Sequence, residues 1–144
     1  MKRILVCLVV LLAMSCNKVN VSNVPYARVY LTLDLRYQDK DLVGLLNFKE
    51  ITKPRNANEY VGFAGVLVVN GYEDQYYAFD LCCPNEANKS IKVEADNTGY
   101  AQCPKCGAKF EIALGTGRPD NGVTEFALTR YMVTRRGQEL IIQN

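Results

Sequence analysis

Four cysteines in two short boxes, Cys82-Cys83-Pro84-Asn85 and Cys103-Pro104-Lys105-Cys106-Gly107, stand in a chain of 144 residues that contains no histidine. Nineteen residues separate Cys83 from Cys103, and two separate Cys103 from Cys106. Thiol pairs brought together by a fold hold a metal ion or an iron–sulfur cluster, or they close as disulfides. The absence of histidine removes His-bearing zinc sites, Ser-His and Cys-His nucleophiles, and the ordinary proton shuttle near neutral pH. What remains is the chemistry of sulfur. Asp34, Asp80, Glu86 and Glu94 offer carboxylates for acid–base work, although carboxylates on the polar sides of strands are ordinarily solvated. The nine tyrosines suit strand faces and rims better than a ligand platform. Gly115-Thr116-Gly117 is too short for a phosphate loop, and no helix pattern follows it.

The elements that must position the two boxes read as strands. Val29, Leu31, Leu33 and Leu35 alternate with Tyr30, Thr32, Asp34 and Arg36, the pattern of a half-buried strand. Asp39-Lys40-Asp41 is a turn, Leu42 to Ile51 is a second apolar segment, and Lys53 to Glu59 is a loop. Tyr60 to Val69 predicts one long strand, bulged near Gly62 and Gly65. Asn70-Gly71 predicts a type I′ hairpin, because both residues tolerate positive φ. The return strand, Gln75 to Leu81, runs straight into the first box. Lys92 to Ala95 and Tyr100 to Gln102 predict a second hairpin, turned by Asp96-Asn97-Thr98-Gly99 and leading into the second box. Phe110, Ile112 and Leu114 alternate before Gly115. Val123 to Val133 and Glu139 to Ile142 predict the last two strands. After the N-terminal segment no stretch sustains a helical apolar period, so the fold class is all-β, a small antiparallel sandwich or barrel.

With that context the boxes resemble those of the Rieske iron–sulfur domain, which carries a C-x-H box and then a C-x-x-H-G-x-x-F box. Here the second box reads Cys103-Pro104-Lys105-Cys106-Gly107-Ala108-Lys109-Phe110 and is followed by Gly115-Thr116-Gly117. Ala78-Phe79-Asp80 ahead of the first box fits the same pattern, as does Leu128-x-x-Tyr131-x-Val133. The resemblance spans residues 60 to 144. It implies a Rieske-like sandwich or barrel with two metal-site loops, a [2Fe–2S] cluster, and an electron-transfer role. The chain departs from the pattern at the ligands, where Asn85 and Cys106 stand in place of the two histidines. Carried over by position, Cys83 and Cys103 hold one iron. Cys106 and an amide, a poor ligand for ferric iron, are left for the other. Cys82 is the spare thiol that would complete a set of four thiolates, although adjacent side chains in extended backbone point opposite ways.

Three readings of the cysteines stay open. Cys82, Cys83, Cys103 and Cys106 form a four-thiolate centre for [2Fe–2S] or zinc, or pair as two disulfides across the boxes, or remain free or redox-active thiols. Cys103-Pro104-Lys105-Cys106 has the spacing of a thioredoxin-type motif, but the strand pattern after it removes the helix N-terminus that such a motif needs.

The N-terminus concerns location. Lys2-Arg3 precedes an apolar run from Ile4 to Ala13, too short to span a bilayer and suited to a secretory signal. Ala13-Met14-Ser15-Cys16 resembles the lipobox of bacterial lipoproteins. That implies cleavage after residue 15, a lipid on Cys16, and a protein anchored in the cell envelope facing the periplasm. Residues 16–25 then read as a tether and 26–144 as the domain. Loss of Lys2 and Arg3 cancels the net charge of +2, which argues against nucleic acid as a partner. The expected partners are the membrane, through the lipid, and a redox or membrane protein. A chain this short leaves little room for an oxygenase substrate pocket. The expectation is therefore a redox component rather than an enzyme, with a non-redox structural or binding module, its cysteines in disulfides, as the rival.

Overall fold

The computed structural model describes residues 20–144; the expected signal segment, Cys16 and the start of the expected tether lie outside them. Among the described residues ten strands follow in chain order. They are β1 (Val29–Asp34), β2 (Phe48–Ile51), β3 (Tyr60–Val61), β4 (Val66–Asn70), β5 (Tyr76–Asp80), β6 (Glu94–Ala95), β7 (Tyr100–Gln102), β8 (Lys109–Glu111), β9 (Arg130–Arg136) and β10 (Glu139–Gln143). Seven form one antiparallel sheet in the order β2-β4-β5-β9-β10-β1-β3, and β6-β7-β8 form a second, smaller one.

Alternation explains β1, which buries Val29, Leu31 and Leu33 and turns Tyr30 and Asp34 outward. The unbroken apolar run of β4 has another cause, since that strand is covered on both faces. Val66 and Val68 join Leu31, Leu33, Ile51, Ala78, Leu140 and Ile142 in one core. Residues from six strands share that core, so the large sheet curls around it and becomes barrel-like. Leu67 and Val69 face the opposite way, into a second core with Phe79, Leu81, Phe110 and Ile112. Burying Phe79 and Phe110 contributes about 1.5–3 kcal/mol each and clamps the small sheet onto β4 and β5. The cysteine boxes sit in this second core.

Several elements differ from expectation. The segment from Tyr60 to Val69 is two strands, because Gly62 and Gly65 adopt φ of 72° and 123° and turn the chain between them. β3 pairs with β1, whereas β4 pairs with β2 and β5. The turn after β4 is wider than a type I′ hairpin. Gly71 has φ −78°, a 3-10 turn covers Tyr72–Asp74, and Glu73 and Asp74 take the positive φ instead. Gly71 answers to crowding, since a Cβ there would lie 2.1 Å from the Ala113 carbonyl oxygen. The strand expected over Val123 to Val133 begins only at Arg130 and runs on to Arg136. The residues before it bridge instead to Asn20, whose N–H donates to the Glu125 carbonyl at 3.0 Å. The body of the domain thus reaches back into the stretch read as a tether.

A buried ion network braces the barrel through the loops after β1 and β2. Asp39, fully buried, pairs with Arg55 at 3.1 Å and Lys49 at 3.0 Å, while Arg55 also holds Glu59 at 3.0 Å. Burial pushes the Asp39 carboxyl up, but hydrogen bonds from Lys49, the Asp34 N–H and Arg55 outweigh it and hold the pKa below the usual range. A carboxyl depressed in the folded state stabilises the fold above its unfolded pKa, near 4, and loses that contribution as pH falls through the folded value. Asp39→Asn is therefore expected to cost about 1–3 kcal/mol at pH 7. The gap from wild type should close below about pH 4, as urea midpoints measured against pH will show.

Candidate metal centre

Both boxes are turns built alike. The first leaves β5 and is fixed by the Cys83 N–H donating to the Ile91 carbonyl at 3.0 Å. The chain then folds over Pro84, so that the Glu86 and Ala87 N–H groups donate to the Cys83 carbonyl at 3.2 and 2.9 Å. The second box is the tip of the β7–β8 hairpin. There the Cys103 N–H donates to the Ala108 carbonyl at 2.8 Å, and the Gly107 N–H donates to the Cys103 carbonyl at 2.9 Å. Gly107 takes φ 75°, which its missing Cβ permits at no cost. Asn121 steadies the second turn, donating from Nδ2 to the Gly107 carbonyl at 2.7 Å and accepting from the Lys109 N–H at 3.1 Å.

These turns bring Cys83, Cys103 and Cys106 together, with their sulfurs all within 4.8 Å of one another. Cys83 and Cys103 are fully buried, and Cys106 is partly exposed. The Sγ atoms of Cys83 and Cys106 lie 3.7 Å apart. All four cysteines of the boxes are free thiols. Cys82 does not join the other three. Its thiol donates to the Asn88 carbonyl at 3.5 Å and the Cys83 carbonyl at 3.6 Å, inside the loop. Burial pushes that thiol up to about 11, with Asp80 adding to the effect.

Electrostatics divides the trio. Burial, then the hydrogen bond with Cys103, pushes the Cys83 thiol far above its ordinary range. Burial acts the same way on Cys103, yet the N–H groups of Cys106 and Lys105 and the Cys83 thiol stand beside its sulfur and hold it below the ordinary value. Its surroundings thus favour the thiolate at Cys103, the form that binds metal, and disfavour it at Cys83.

Asp80 anchors the first box from behind. Its buried carboxylate accepts from the N–H groups of Phe63 at 2.7 Å, Ala64 at 3.2 Å and Cys82 at 2.7 Å, and from the Tyr131 hydroxyl at 2.6 Å. The other three carboxylates do not pair with it or with one another. Asp34 and Glu94 are exposed, and Glu86 accepts from Lys105 Nζ at 2.6 Å, joining one box to the other. The tyrosines are likewise dispersed, with Tyr131 and Tyr76 buried while Tyr26 and Tyr37 stand in solvent.

No family model and no curated protein matches the chain. Among solved structures, it is similar to the ferredoxin in the complex of reduced oxygenase and oxidised ferredoxin in carbazole 1,9a-dioxygenase. The two share 16% identity and superpose with a TM-score of 0.52, over 78% of this chain and 99% of that one. The chain has the Rieske-type ferredoxin fold. A Sphingomonas yanoikuyae B1 ferredoxin matches at 14% identity and TM-score 0.47, over 83% of this chain and 99% of that one. The ferredoxin of carbazole 1,9a-dioxygenase from Nocardioides aromaticivorans IC177 matches at 18% and 0.46, over 81% and 95%.

The Rieske-type fold is present, but the donors do not fit a Rieske cluster. Asn85, at the first histidine position, is exposed and offers only a neutral amide. Cys106, at the second, closes directly on Cys83 instead of standing off across the width of a cluster. Two thiolates on one tetrahedral ion, at about 2.3 Å from it, stand about 3.8 Å apart. The 3.7 Å between Cys83 and Cys106 is that spacing. Asp80, Asn121 and Glu86 support the turns without having stood out as doing so in the sequence. Asp80 showed in the Ala78-Phe79-Asp80 pattern, and Glu86 in the repeat of Cys-Pro-x-x at 83–86 and 103–106, whereas Asn121 had no signal.

Proposed function

We propose that this protein is a lipid-anchored component of the cell envelope whose Rieske-type domain holds a metal on cysteine thiolates. On this reading it passes single electrons to or from a protein partner. The observation that carries the proposal is the convergence of Cys83, Cys103 and Cys106 at the ends of two turns. Iron held by these thiolates supplies one-electron chemistry. The similar solved structure contains a ferredoxin together with an oxygenase, which supports a redox protein as the partner class. The partly exposed Cys106 is the point of the trio nearest to solvent, and so the natural side for a partner to approach.

Iron content and potentiometric titration of the mature protein, purified anaerobically, test the electron-transfer reading. Bound iron that titrates as one electron per chain is expected. Protein carrying zinc alone, or a Cys83–Cys106 disulfide without metal, would favour a structural or binding module.

The membrane part of the proposal rests on Ala13-Met14-Ser15-Cys16 after the apolar run. Cys16→Ser is expected to abolish processing and lipid labelling, leaving the precursor uncleaved or the protein out of the membrane fraction. Normal processing and unchanged membrane recovery of the variant would contradict it.

A further inference from the structure

We infer that the centre is a single tetrahedral metal ion whose fourth ligand is the Glu86 carboxylate. The inference rests on the metal-holding reading above and goes past it to the nuclearity and the missing donor. Its ground is the equivalence of the two turns. Each begins Cys-Pro, and each returns a backbone N–H from the fourth following residue, Ala87 or Gly107, to the carbonyl of its first cysteine. Each of those residues is left-handed, with φ of 47° and 75°. At Ala87 this costs about 1 kcal/mol, strain of the kind kept at functional sites. In both turns the N–H groups two and three residues on face the first sulfur, from Asn85 and Glu86 in one and from Lys105 and Cys106 in the other. By this register Glu86 occupies in the first turn the place of Cys106 in the second. Two such turns facing each other present four donors, Cys83, Glu86, Cys103 and Cys106.

The Glu86 side chain is only 16% exposed, and its carboxylate rests on Lys105, itself within the second turn. Lys105 lies close enough to Cys103 and Cys106 for their charges to act on it. The Glu86 carboxylate stands outside the 4.8 Å group formed by the three sulfurs, so ligation requires it to exchange its ammonium partner for the ion and swing toward them. The alternatives for a fourth ligand are weaker. Asn85 offers only a neutral amide, and Cys82 is engaged within its own loop. Three thiolates and a carboxylate around one small site suit a borderline divalent ion, iron or zinc.

Anaerobic titration of the mature apoprotein with Co2+, followed by competition with Zn2+, tests this. The wild type should take up one ion per chain, with tetrahedral Co2+ bands and thiolate charge transfer. Glu86→Ala should weaken binding at least about 100-fold, beyond the 10–100-fold typical of losing an outer partner. Glu86→Cys should keep one ion and strengthen the charge-transfer band as a fourth thiolate joins. Lys105→Ala should bind as tightly as wild type, which separates ligation from a mere salt bridge between the turns. Two ions per chain, wild-type affinity in Glu86→Ala, or equal losses in Glu86→Ala and Lys105→Ala would each overturn the inference while leaving the metal-holding reading intact. No uptake by wild type would overturn both.

Discussion

Cys103→Ser is expected to strip the domain of its metal. Cys103 is the fully buried thiol that its neighbours hold most readily as thiolate, and serine oxygen is a poor ligand for a soft site. Loss of a ligand should cost more than the 10–100-fold seen when only an outer partner is removed. Metal binding to these turns is also binding to the folded state, so its loss lowers apparent stability. Thermal unfolding of Cys103→Ser should thus match that of chelator-treated wild type. Cys82→Ser is the control. Its thiol sits apart from the trio, so metal content should stay at the wild-type level while stability falls modestly. Retention of metal by Cys103→Ser would show that the ion is held elsewhere.

Asp80→Ala is expected to produce the largest loss of stability, about 3–5 kcal/mol, because three N–H groups and one hydroxyl lose a charged acceptor inside the protein. Tyr131→Phe removes one of these bonds and should cost about 1.5–3 kcal/mol. The effect reaches the site, since the Cys82 N–H is tied to Asp80 and the next residue is Cys83. Chemical denaturation gives the stabilities, and a Co2+ titration of the folded Tyr131→Phe variant gives the effect on the centre. Wild-type stability in Asp80→Ala would mean that water replaces the carboxylate.

Much of this was legible in the order of residues alone. The alternation at Val29–Leu35 marked a strand with one buried face, and the double coverage of β4 corresponds to the unbroken apolar run Val66–Val69. The two boxes marked a place where sulfur gathers, and the fold brings three of the four thiols within 4.8 Å of one another. What stayed hidden depends on contacts distant in sequence. Nothing local showed that Gly62 and Gly65 would hand the chain from one neighbour to another, or that Asp80 would collect donors from three segments. Asn70-Gly71 misled because the crowding at Ala113, far along the chain, decides the shape of that turn. Where the Cys82 sulfur points was not legible either, since the loop after it supplies the carbonyls that the thiol meets.

X-ray absorption at the metal edge of the mature holoprotein reads the donor set itself. Three sulfur scatterers at about 2.3 Å, one oxygen at about 2.0–2.2 Å, and no neighbouring metal are expected. A shell of sulfur alone with a second metal close by would place a cluster between the turns and contradict the single-ion centre.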